Sequence, residues 1–143
     1  PMRRWAIANT IAIPASLKYA PQTLAFVFGP QTAGKDYIIE GGGYAGLRPS
    51  HFYATSTDFV ALEDVLGRLE ERYGEIDMPA GLIFGTEDRV LDYRIHGLPM
   101  SARIAGLDFE LLDGMGHMLQ FVAPERTLAF IERVAARAFA DRH

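Results

Sequence analysis

Two short apolar runs constrain this chain more than anything else in it. Met78-Pro79-Ala80 leads into Gly81-Leu82-Ile83-Phe84, and Phe109-Glu110-Leu111-Leu112 follows some thirty residues later. Each run ends in a Gly-containing turn, Gly85-Thr86-Glu87-Asp88 and Asp113-Gly114-Met115-Gly116-His117. A brief apolar run bounded by Gly or Pro reads as a buried strand of a parallel sheet. In open α/β sheets the chemistry sits just past the carboxyl ends of the strands. Two adjacent parallel strands would therefore set Asp88 and His117 side by side on one edge. A carboxylate beside a histidine is the acid–base half of a nucleophile–His–acid triad, with the acid earlier in the chain.

At these residues the chain resembles the α/β-hydrolase fold family. The resemblance rests on the Pro-led strand with Gly85-Thr86-Glu87-Asp88, and on Leu112-Asp113-Gly114-Met115-Gly116-His117 with Pro124-Glu125 and a last amphipathic helix behind it. It implies an α/β fold: the C-terminal half of a hydrolase parallel sheet flanked by helices, with a helical cap inserted after the first strand present. Residues 1–14 would be a core strand corresponding to the family's sixth, 15–77 the cap and a connecting helix, and 78–143 the C-terminal core with the acid and histidine loops. The chain would then be a fragment, with strands one to five and the nucleophile missing. The first residue, Pro1 rather than Met, fits something preceding it.

The 143 residues are enough for one ordinary domain, and 49% hydrophobic with 22% charged residues is a globular composition. A net charge of −4 gives no reason to expect nucleic acid or a membrane as partner. No run approaches the ~18 apolar residues that span a bilayer. The absence of cysteine excludes disulfides and thiol chemistry and favours a cytoplasmic location.

In chain order, Trp5-Ala6-Ile7-Ala8 reads as a strand ended by Asn9-Thr10. Residues 15–53, with Tyr19, Phe26, Phe28, Tyr37, Tyr44, Phe52 and Tyr53 among prolines and glycines, are too irregular for one long helix and suit a cap of short ones. Gly41-Gly42-Gly43 lacks the surroundings of a phosphate loop and reads as a turn. Thr55-x-x-Asp58 has the spacing of a capping box, ahead of a helix whose apolar face is Phe59, Leu62, Leu66, Leu69 and Tyr73. Tyr93 to Ala105 predicts a helix broken or started at Pro99. Pro124 suits the first turn of the last helix, with Leu128, Ile131, Val134, Ala135 and Phe139 on its apolar face and Arg133, Arg137 and Arg142 in its C-terminal half.

The site residues expected are Asp88 and His117. A carboxylate bonded to Nδ1–H holds a histidine in one tautomer and stabilises its protonated form. Each residue also has an ordinary reading: Asp88 as a turn residue bonding its own backbone, His117 as a half-buried loop histidine. Glu87 and Asp92 are rival acids, the latter a candidate helix cap, and Asp113 is a turn residue. His51, His96 and His143 lack a comparable context. No H-x-x-x-H spacing points to a metal, and no cofactor is expected. Ser16, Ser50, Ser56 and Ser101 all lie outside a G-x-S-x-G elbow, so the nucleophile is not among them. The expected function is part of a hydrolase of a small-molecule ester, with an epoxide, a halide or a carbon–carbon bond beside a ketone also open. The expected partners are that substrate and either an N-terminal half of the fold or a second copy. The alternative is a non-catalytic interaction module or an inactive remnant.

Overall fold

The computed structural model describes residues 2–140, so Pro1, Arg142 and His143 lie outside the described residues. It divides the chain into two compact units, one of Pro1–Leu24 with Ala33–Glu70, the other of Ala25–Thr32 with Glu71–His143.

The first unit is helical. Helix α1 (Met2–Ile7) runs through wider π-type turns at Ala8–Ala12 into α2 (Ile13–Phe28). The expected strand at Trp5–Ala8 is therefore absent. Asn9 and Thr10, read as its end, donate instead to the carbonyls of Trp5 and Ala6, at 2.8 and 2.7 Å. Such back-bonding lets polar residues sit inside a helix. The segment is rich in Ala, the best helix former, and a short apolar run cannot by itself be told from buried helix. The ladder widens just before Pro14, which has no N–H to give the Thr10 carbonyl.

Helix α3 (Tyr37–Glu40) and α4 (Pro49–Glu71) complete this unit. The capping-box reading of Thr55 is also overturned. Helix α4 begins at Pro49, where a missing N–H costs nothing. The hydroxyls of Ser56 and Thr57 bond back to the Tyr53 carbonyl inside it. Arg4 Nη1 donates to Thr57 Oγ1 at 2.8 Å and ties α1 to α4. Phe59 on the expected buried face is 71% exposed, and Leu62, Leu66 and Leu69 are exposed as well.

The second unit holds the sheet. Strands β1 (Gly81–Gly85) and β2 (Asp108–Leu112) pair in parallel, from Gly81 opposite Asp108 to Gly85 opposite Leu112. Helices α5 (Tyr93–His96) and α6 (Leu98–Arg103), with Pro99 in the first turn of α6, return the chain between them. Helices α7 (Leu119–Val122) and α8 (Pro124–Ala140) follow β2. One sheet face carries the Phe84 and Phe109 rings, 6.3 Å apart, against which Gly97 packs. On the other face Phe130 and Val134 of α8 lie over Gly81. The described residues are mostly helical and hold only these two strands. The expectation of a C-terminal half of an α/β-hydrolase parallel sheet, with three strands and a cap after the first, is contradicted. Among the described residues no helix is long and apolar enough to cross a membrane.

Helix α8 is fastened by charge. Arg133 forks onto Asp108 at 2.8 and 3.0 Å and reaches Glu110 at 2.6 Å, while Arg126 holds the other Glu110 oxygen at 2.6 Å. Phe130 is buried beneath them and Val134 is half-buried over the sheet, while both arginines stay largely exposed. Leu128 and Ile131, expected to face the core, are each 56% exposed. Charge-assisted forked pairs are the stronger kind, and they fix the rotation of the helix.

Two outcomes are expected. The Arg133 hydrogen bond holds Asp108 below the usual carboxylate range, and Arg126, then Arg133, do the same for Glu110. A depressed carboxylate stabilises the fold above its unfolded value of about 4 and loses that contribution as pH falls through its folded value. Acid unfolding followed by circular dichroism should therefore be less steep below about pH 4 in Asp108→Asn/Glu110→Gln than in the parent. Second, Gly67 lies inside α4 with open space around its Cα. Gly67→Ala should raise the urea unfolding free energy by roughly 0.4–1 kcal/mol.

Candidate active site

The ladder continues past the strand ends. Asp108 N–H donates to Ala80 C=O, and Thr86 N–H donates to Leu112 C=O, both at 3.0 Å. The first residue of the loop after β1 is thus held by the last residue of β2. Glu87 N–H then donates to Met115 C=O at 2.9 Å. Thr86 Oγ1 accepts from Gly114 N–H at 2.8 Å and donates to Asp113 Oδ1 at 3.2 Å. The loops lie so close at Gly85 that a Cβ there would strike the Met115 carbonyl. Gly116 is equally confined, because a Cβ on it would strike the Gly29 carbonyl.

This arrangement brings Asp88 and His117 together. Asp88 Oδ2 stands 2.9 Å from His117 Nδ1. The other carboxylate oxygen accepts from Val90 N–H and Leu91 N–H at 2.8 and 2.9 Å. Asp88 is thus a turn residue with one oxygen and the histidine's partner with the other. Its side chain is 4% exposed and that of His117 is 31%. An ionised carboxylate only accepts, so the shared proton belongs to Nδ1, and Nε2 carries the free lone pair. A buried carboxylate fixed by two backbone donors, beside a half-open imidazole of set tautomer, can orient a base toward a proton.

The remaining candidates lie elsewhere. Glu87 is exposed. Asp92 caps α5, its Oδ1 accepting from Arg94 N–H at 2.9 Å. His96 is exposed on α5 and His51 is exposed on α4 in the other unit, while His143 lies outside the described residues. Of the serines, Ser50 and Ser56 lie on α4 and Ser101 on α6. Ser16 of α2 lines a pocket of about 250 Å³ in the first unit, with Leu24, Tyr37, Ile38 and Leu47. Among the described residues no group of three or more His, Asp or Glu side chains could hold a metal ion.

Sequence reasoning missed Gln31. Its Nε2 donates to Gly114 C=O at 2.8 Å and its Oε1 accepts from Gly116 N–H at 2.9 Å. The partners are more than eighty residues apart, and a glutamine after Gly29-Pro30 carries no local mark of this use. Thr86 and Asp113 had a signal, since each stands in a predicted turn.

Gly85→Ala should lower the denaturant unfolding free energy by at least about 1–3 kcal/mol, because backbone rather than a flexible side chain must yield. Urea titration with tryptophan-independent circular dichroism checks this, and a change near zero would mean the loops separate freely.

No family model and no curated protein matches the chain. Among solved structures it is similar to a chain in the crystal structure of a membrane phospholipase A, described as a novel bacterial virulence factor. The identity is 24%, the TM-score is 0.54, and the match covers 80% of this chain and 37% of that one. At that identity the likeness speaks for the fold alone, and the chain spans little more than a third of its neighbour's length.

Proposed function

We propose that this chain supplies the acid and base of a hydrolase that cleaves a small-molecule ester or related bond. His117 Nε2 takes the proton from the attacking nucleophile and later returns it to the leaving group, while Asp88 fixes the ring and stabilises the imidazolium. The observation that carries this proposal is the 2.9 Å contact between His117 Nδ1 and a carboxylate that is otherwise buried and backbone-bonded. An ester substrate is in keeping with the phospholipase activity named for the structural neighbour, a fold-level analogy. None of the four serines sits in a nucleophile elbow, so the nucleophile comes from another polypeptide segment, the partner of this chain.

A second reading, a non-catalytic interaction module, is favoured by the exposed apolar side chains. In the first unit Trp5 is 63% and Phe59 71% exposed, and in the second Leu128 and Ile131 on α8 are 56% exposed. Large apolar side chains left in solvent would gain from burial against a partner. The two readings share a partner and differ in whether His117 is reactive.

Reactivity can be measured without the nucleophile. An acylating reagent such as diethyl pyrocarbonate should modify His117 faster than the more exposed His51 and His96, and Asp88→Asn should slow His117 alone. Peptide mapping by mass spectrometry gives the three rates. Equal rates at His51, His96 and His117, unchanged by Asp88→Asn, would favour the module. The unsubstituted chain by itself should hydrolyse p-nitrophenyl esters no faster than free imidazole, since positioning and an oxyanion hole supply most of the rate.

A further inference from the structure

We propose that Gln31 is a positioning residue for His117, acting through the backbone of the loop that precedes it; the proposal rests on the acid–base reading above. Five backbone groups of Gly114, Met115 and Gly116 have hydrogen bonds that hold this loop. Gly114 N–H goes to Thr86 Oγ1, Met115 N–H to Leu112 C=O, and Met115 C=O receives Glu87 N–H. The other two, Gly114 C=O and Gly116 N–H, both go to the Gln31 carboxamide. A primary amide presents one donor and one acceptor in a plane, as a peptide group does. Gln31 therefore takes the place of a neighbouring strand where the loop has none.

The segment that carries Gln31 is itself wedged between the acid and histidine loops. Gly116, the residue before His117, packs on the Gly29 carbonyl. Arg89, the residue after Asp88, packs on Gly29 from another side. Phe28 is 2% exposed, with its ring 6.1 Å from Phe121, just beyond the histidine. Residues 25–32 thus touch the chain immediately after the acid and on both sides of the base. The glutamine amide is the part of this strap that bonds the histidine loop in a fixed direction. Loss of those two bonds frees the Gly114–Gly116 backbone, and the ring it carries leaves Asp88 more often.

The readout is the His117 Nδ1 proton in the ¹⁵N-labelled chain, assigned by its disappearance in His117→Gln. Gln31→Met keeps the length of the side chain and removes both amide groups. Its exchange with water at that proton should rise by about tenfold or more, the loss of roughly one net hydrogen bond. Slowly exchanging amides of β1 and β2 should keep their rates. Gln31→Glu, which can still accept from Gly116 N–H, should restore part of the protection. An unchanged rate in Gln31→Met would overturn the proposal. So would an equal acceleration at the sheet amides, which is what a merely structural residue would give. If the unsubstituted protein itself shows no protected His117 proton, the acid–base reading fails first, before any substitution, and the role of Gln31 falls with it.

Discussion

Everything near the candidate site depends on one ladder, the in-register parallel pairing of Gly81–Gly85 with Asp108–Leu112. Parallel strands end on the same side, so whatever follows each of them is delivered to one edge. Asp88 comes three residues after β1, and His117 five after β2. Loops of such different shape could diverge. They do not, because the ladder extends through Thr86 N–H to Leu112 C=O and the next contact, Glu87 to Met115, joins loop to loop. The glycines at 85 and 116 are what allow backbones to meet without a side chain between them. The acid–histidine contact is the last consequence of a pairing decided in the strands.

Helix α8 meets the sheet with both carbon and charge. Phe130 and Val134 lie over the sheet and Leu128 and Ile131 face outward, while Arg126 and Arg133, largely exposed themselves, reach back to the carboxylates of β2. A helix turned away from this rotation would leave Asp108 and Glu110 without their arginines. The arginine stems also cover carbon: the Arg133 guanidinium lies 5.0 Å from the Phe130 ring centre.

What was legible in the sequence follows from the range of the interactions concerned. Both strands of the second unit, the break at Pro99, the cap at Asp92 and the helix start at Pro124 are local matters of turn chemistry and steric fit. The juxtaposition of Asp88 with His117 needed only the further rule that parallel strands share an edge. The failures are of two kinds. At Trp5–Ala8 and Thr55–Asp58 the local signal was real but ambiguous: four apolar residues suit strand or helix, and hydroxyls that cap helices also bond back within them. At α8 and at Gln31 the deciding partner lies far along the chain, where periodicity has no access to it. The three-stranded sheet expected from the family resemblance failed with the first of these, because its opening strand is helix.

The strap also determines how the second unit comes into being. Its two pieces, Ala25–Thr32 and Glu71–His143, are separated by a stretch that belongs to the other unit. The bond between Gln31 and Gly116 spans 85 positions. Closing a loop of that length costs entropy that grows as the logarithm of the number of residues enclosed, and the cost falls before the contact returns anything. The strands, by contrast, close over only the residues between β1 and β2. The Gln31 bonds thus carry a larger loop-closure cost than the strand pairing does. A polypeptide cut just before Glu71 would retain Asp88, His117 and the two strands that precede them, yet would lack the amide that bonds Gly114 and Gly116.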